Sequence, residues 1–341
     1  MVVLWYALLS LAVAAYAVLD GLDLGAGALH LFVAKTDDER RAVLGAIGPY
    51  WDGNEVWLLA VAGTLFVAFP TALALALSGF YMAIFLVVWG LILRGVAIEL
   101  RGQLASPLWR AFWDAIFALA SAGLALLFGV ALGNLLRGVP SGEGGYFTLP
   151  LFTSFLPRPP VGLLDAYTVL LGVFSVAALA HHGALFLVWK TSGAVNARAR
   201  AAAAPLLGAL VVLLAMTFAA TAAVVGLVPS ALGGVLLAVA IAALAISAIA
   251  RRRGRDRAAF LGSAAFLASA LAGVGASLFP VLLRSAGGGR DLTAYAAAAR
   301  GASLTSGAPW YLVSLVLVAA YFANVFRHHR GKVVVPKDDE H

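Results

Sequence analysis

Apolar residues along the chain form long unbroken blocks, neither alternating nor recurring at helical spacing, and each block stops at Pro, Gly or a group of charges. Crossing the hydrocarbon layer takes about 20 mostly apolar residues in a helix. Nine blocks satisfy this, at 3–33, 50–70, 79–100, 112–136, 161–190, 204–227, 231–250, 258–283 and 308–326. Gly48-Pro49 separates the first two, Pro70 ends the second, and Ser78-Gly79 opens the third. Only "GLVPSALGG" divides the sixth from the seventh, which predicts a tight hairpin. The connections 137–160 and 284–307 are rich in Gly, Pro and Ser, and nowhere is there room for a soluble domain. The pattern predicts an all-α polytopic membrane protein with nine transmembrane helices.

Composition agrees: 63% of residues are hydrophobic and 11% charged, with mean hydropathy +0.98. Soluble domains carry about a quarter charged residues. The first block lacks a basic leader and runs past signal-peptide length, so it reads as a span. The absence of cysteine excludes disulfides, thiolate metal sites and covalent C-x-x-C-H haem attachment. A net charge of +7 raises nucleic acid as a partner, but the basic residues sort by connection. With the N-terminus outside, the inner segments 34–49, 101–111, 190–203, 251–257 and the tail 327–341 hold 17 Lys and Arg. The outer connections hold 5, and Arg94 lies within a span. That bias predicts an N-out/C-in orientation and accounts for the charge without nucleic acid.

Against this topology several polar residues sit where charge is expensive. Asp20 and Asp23 fall in the inner half of the first span, three residues apart and on one face, with His30 seven residues further along. Gly21 and Gly25 allow a neighbouring helix to approach. The second span opens with "GPYWDGNEVW", placing Asp52, Asn54 and Glu55 between Trp51 and Trp57 at the inner mouth. The third carries Arg94 and Glu99, too far apart around the helix to pair, so Arg94 is expected to face an acid on another helix. An embedded charge costs at least about 2.5–3.5 kcal/mol on insertion scales, so such a cluster points to a proton relay, an ion site or a structural pair.

Simpler readings stand beside these. Asp52 and Glu55 can cap a helix in the positive field of its N-terminus, and Trp51 and Trp57 can be interfacial belt aromatics. Asp20 can form a purely structural pair with Arg94. His181 and His182 suit helix packing, and Asp114 and Asp165 read as terminal charges at span starts.

The motifs "LDGLDLGAGAL", "IGPYWDGNEVWLL", "SGFY" followed by "LILRGVAIELR", and "GNLLRGVP" occur in an order and spacing that resembles subunit II of cytochrome bd-type quinol oxidases. The match is dense over residues 15–140 and thins to "HHGALFLVWKTSG", "SLFPVLLRS" and "SLTSGAPW". The resemblance implies two four-helix bundles and a peripheral helix: a first bundle within 1–136 holding the polar cluster, a second within 161–283, and the last helix at 308–326. It further implies a heterodimeric oxidase of quinol and dioxygen in a bacterial or archaeal cytoplasmic membrane. The haems b558, b595 and d would belong to the partner, subunit I, and this chain would hold none. Some members add a small single-span subunit or hold a structural quinone in subunit II. The implied roles of this chain are to stabilise the haem-bearing partner and to lend acids to proton uptake from the cytoplasm. Asp52 matches the acid of WDGN, Asp23 the second acid of D-G-x-D, and Arg94 the arginine closing the third span, while Glu55 stands where other members can have Gln. The expected proton path is Asp52, Asp23, Asp20, Glu55 and Glu99, supported by Trp51, Asn54, Trp57 and Arg94. His30, His181 and His182 match no family role. The rival readings are a proton-coupled transporter, which predicts function from this chain alone, and a cytochrome binding haem through His30 with His181 or His182.

Overall fold

A computed structural model describes residues 1–142 and 145–333, so the end of the tail, 334–341, lies outside the described residues. Among the described residues, eight helices are long and apolar enough to cross a membrane: α1 (Val2–Val33), α5 (Tyr81–Leu100), α6 (Pro107–Arg137), α7 (Ala166–Lys190), α8 (Gly193–Val225), α9 (Ala231–Arg252), α10 (Asp256–Leu278) and α12 (Ser303–His328). The chain is a multi-pass membrane protein. The expected second span is α3 (Trp51–Ala68), less apolar because Asp52, Asn54 and Glu55 fill its first turns. It ends at Phe69, where the ring of Pro70 disfavours helical geometry in the residue before it, and Pro70 then starts the short helix α4 (Pro70–Gly79).

Three regions depart from the sequence reading. Residues 34–49, expected as a connection, contain α2 (Asp37–Ile47). Thr36 accepts from the Glu39 amide and the Glu39 carboxylate bonds back to the Thr36 amide, a reciprocal cap that lets so short a helix persist. Helix α6 starts at Pro107 behind the Ser106 cap, five residues before the apolar block itself begins. After α10 the chain forms a small antiparallel hairpin, β1 (Val281–Leu283) with β2 (Leu292–Thr293), followed by the single-turn α11 (Ala294–Ala297).

Helix α1 is central, packing on α3, α6, α7 and α10. α5 packs on α6, while α7 packs on α8 and α10, and α9 packs on α10. Closeness requires glycine at the α1–α7 crossing. A Cβ on Gly25 would lie 1.9 Å from the Leu179 carbonyl oxygen, and one on Gly183 would lie 2.3 Å from the Ala26 nitrogen. Peripheral α12 lies on α3 and leaves its apolar surface uncovered.

One end of the helices gathers most of the cations. Arg198 pairs with Glu39 at 2.7 Å and Arg200 with Asp256 at 2.9 Å. The opposite end is closed by the long connections. There Asp165 caps α7 through the Thr168 amide and forms a buried ion pair with Arg137.

Candidate functional site

Two buried polar groups lie along α1. The first sits mid-helix, where Asp20, Asp23, Asn54 and Arg94 are all completely buried. Arg94 reaches across from α5 with one guanidinium nitrogen 2.6 Å from Asp20, and the other pairs with Glu55 of α3. Asn54 Nδ2 donates to Asp23 Oδ2 at 2.7 Å. The helical repeat explains the assembly: Asp20 and Asp23 share one face of α1, Asn54 and Glu55 occupy the first turns of α3, and Arg94 lies in the last turns of α5. Three carboxylates therefore face a single guanidinium. Asp23 Oδ1 and the Asn54 carbonyl oxygen have no hydrogen-bond partner among the described residues. Such a group can take up and pass on protons, because its charge is underbalanced and it keeps free acceptors in a dry setting.

The expectation that Arg94 faces an acid of another helix holds, with Asp20 and Glu55 as its partners. The two acids of WDGNE part company. Glu55 does not cap α3; it is 30% exposed and ion-paired to Arg94. Asp52 is exposed in the first turn of α3 and has no ion pair among the described residues. Trp51 and Trp57 are half-buried on the same helix, with Trp57 beside Phe322 of α12. Glu99 is exposed near the end of α5 and does not join the cluster.

The second group is one the sequence reading missed. Asp114, expected as a terminal charge, is fully buried two turns inside α6. It accepts from His30 Nε2 at 2.7 Å, Arg40 at 2.8 Å and Arg101 Nε at 2.6 Å. Arg101 and Arg110 also hold Asp37 of α2, at 2.6 and 2.7 Å. The available signal was Ser106-Pro107, a cap followed by a first-turn proline, which starts the helix early enough to carry Asp114 inward. Outside the membrane segments, the Arg198 hydrogen bond holds the Glu39 carboxyl below its ordinary range, aided by amides of Lys35 and Thr36.

His181 and His182 are buried between helices. His182 bonds Ser263 at 2.5 Å and the Val18 carbonyl at 3.0 Å, and His181 bonds the Ala203 carbonyl at 3.1 Å. No group of three or more potential metal ligands occurs among the described residues.

The family model described as "Cytochrome bd terminal oxidase subunit II" matches residues 1–329. The chain belongs to the cytochrome bd terminal oxidase subunit II family. Among its relatives, "Cytochrome bd ubiquinol oxidase subunit 2" of Bacillus subtilis is 31% identical over 85% of this chain and 84% of its own. "Cytochrome bd-I ubiquinol oxidase subunit 2" of Escherichia coli K12 is 38% identical over 59% of this chain and 52% of its own. "Probable cytochrome oxidase subunit 2" of Haemophilus influenzae is also 38% identical, over 63% of this chain and 55% of its own. The matched region thus spans about half the length of these last two relatives. A chain in the structure of bd oxidase from Geobacillus thermodenitrificans shares the fold, with TM-score 0.75 at 16% identity over 96% of this chain and 98% of that one. In this subunit II family member, the motif residues Asp20, Asp23, Asn54, Glu55 and Arg94 are thus the ones brought together across α1, α3 and α5.

Proposed function

We propose that this chain is the haem-free subunit of a bd-type terminal oxidase that oxidises quinol and reduces dioxygen to water. It would stabilise a haem-bearing subunit I and deliver protons toward it. The observation that carries this reading is the underbalanced acid cluster around Arg94, in which Asp20, Asp23 and Arg94 are fully buried in membrane helices of a subunit II family member. The imidazoles of His30 and His182 bond Asp114, Ser263 and Val18, which favours haems b558, b595 and d lying in the partner. A structural quinone and a small accessory subunit are features of some members and rest on the resemblance alone.

Counting α3 as a crossing gives nine spans. These spans are read as two four-helix bundles, α1, α3, α5 and α6 within 1–136 and α7 to α10 within 161–283, packed together through α1, α6 and α7, with α12 outside them. The end bearing most Lys and Arg is then cytoplasmic, N-out/C-in, in a bacterial cytoplasmic membrane. Reducing dioxygen to two waters takes up four protons. Drawing them from the cytoplasm while quinol releases its own outside makes turnover electrogenic without pumping.

Asp52 stands at the cytoplasmic mouth of α3, and the Asp20–Asp23–Glu55–Arg94 group lies further along the same helices. Protons would be gathered by Asp52 and passed to Glu55 and Asp23, where Arg94 and Asn54 hold the carboxylates in place. Asp52 and Glu55 open onto the uncovered surface of α3, and carboxylates facing lipid are costly. That face is the natural seat for subunit I. The test is Asp52→Asn in the assembled complex, which should lower turnover and slow charge separation during dioxygen reduction. Unchanged values for both would overturn the role of Asp52.

A further inference from the structure

The start of α3 lacks the usual means of fixing a helix N-terminus. Tyr50 is its cap residue, and no side chain there accepts a hydrogen bond from the first-turn amides. Tyr50 is nevertheless almost fully buried, at 2% exposure. What buries it comes from distant parts of the chain. Phe326, near the end of α12, stacks on its ring at 4.6 Å between centroids, and Phe186 of α7 meets it edge-on at 5.9 Å.

Beyond α12 the chain turns back over this position. The His329 carbonyl accepts from Tyr50 Oη at 3.3 Å and from Lys190 Nζ at 2.6 Å. The Val333 amide donates to the Lys190 carbonyl at 2.8 Å, and its side chain lies against Gly45 of α2. Lys190 is itself unusual, being 2% exposed with no carboxylate partner among the described residues. Its ammonium rests 4.5 Å from the Trp189 ring centre and 5.3 Å from that of Tyr50. Burying an ammonium without an anion is costly. Here the cost is offset by the His329 carbonyl, two aromatic faces and the negative end of α7. The same ammonium joins three elements: the end of α7, the start of α3 and the segment after α12.

We propose that residues 326–333 form a strap, pinned by Lys190, that sets the first turn of α3 and so positions Asp52 for proton uptake. Lys190 and Tyr50 are positioning residues that act through Asp52, two residues beyond Tyr50. This rests on the reading of Asp52 as the residue that gathers protons. Two further contacts extend the strap along α3. A Cβ on Gly53 would lie 3.0 Å from the Tyr321 ring, and Trp57 lies beside Phe322. The first two turns of α3 are thus seated on α12 along one side.

The experiment uses the full complex carrying Lys190→Met, Lys190→Arg, Asp52→Asn, or Lys190→Met with Asp52→Asn. Hydrogen exchange of peptide 48–56 and proton uptake on dioxygen reduction are measured together. Lys190→Met should raise exchange in that peptide by about tenfold, the loss of roughly 1.4 kcal/mol of local protection. It should slow proton uptake by no more than Asp52→Asn does, and add nothing in the double variant, because both act at one point. Lys190→Arg, which keeps a donor and a charge, should restore both readouts. A chain shortened after Phe326 gives an independent loss of the strap and should match Lys190→Met. A further loss in the double variant would mark Lys190 as a general structural residue and overturn the proposal. So would loosening of 48–56 without slower uptake where Asp52→Asn is slow. If Asp52→Asn has no effect on uptake, the reading of Asp52 itself fails, which the single variant reveals without reference to the strap.

Discussion

Replacing Arg94 by methionine keeps an apolar stem but removes the only cation touching Asp20 and Glu55 among the described residues. In the native chain the guanidinium is fully buried, 2.6 Å from Asp20 and ion-paired to Glu55. Its loss leaves Asp20, also fully buried, with no counter-ion among the described residues. Breaking a buried pair by removing one partner costs about 3–5 kcal/mol. Glu55 adds less, because its partial exposure allows water to screen it. Equilibrium unfolding of the complex in mixed micelles, followed by far-ultraviolet circular dichroism, should show Arg94→Met destabilised by about 3–5 kcal/mol. Arg94→Met with Asp20→Asn should recover about half of this, since the second change removes the stranded charge. Wild-type stability in Arg94→Met, or a double variant worse than the single, would show that the cluster is not held by this pair.

The remaining predictions concern the frame around the site. Because the folded Glu39 carboxyl is held below its unfolded value, its contribution is complete above about pH 4.5 and fades as pH falls through the folded value. Hydrogen exchange of residues 37–47 should therefore rise on acidification below about pH 4.5, and Glu39→Gln should abolish that dependence while loosening α2 at neutral pH. Gly25→Ala drives a methyl into the Leu179 carbonyl, 1.9 Å away in the native backbone, so α1 and α7 must separate. It should cost about 1–3 kcal/mol or prevent assembly. Gly63→Ala on α3, where a Cβ meets nothing within 4 Å, should assemble normally and serve as its control.

Much of this architecture is local information. A block of about 20 apolar residues has few alternatives to a membrane helix, because each backbone amide must be bonded within its own segment. The spans were therefore legible, and errors at their ends track where hydropathy and helical geometry diverge. Helix α6 runs to Pro107 because a Ser-Pro cap continues a helix into polar sequence, and α2 exists because Thr36 and Glu39 cap it. The site was legible to the extent that embedded acids on one helix face are expensive and must be answered. Their partners were not legible. Asp20, Asp23, Asn54, Glu55 and Arg94 were all visible as polar residues in apolar blocks. Which carboxylate takes the guanidinium depends on how α1, α3 and α5 rotate against one another. The same applies to Asp114, whose place at a span start suggested a terminal charge and whose packing against His30, Arg40 and Arg101 made it a buried hub. Hydropathy and motif order thus determined on their own that this chain crosses the membrane repeatedly and belongs with bd oxidase subunits. Only the tertiary packing decided that Glu55 joins Arg94 while Asp52 stays open and that Lys190 bonds the His329 carbonyl beyond α12, because such contacts form between atoms a few ångströms apart whose spacing no single helix sets.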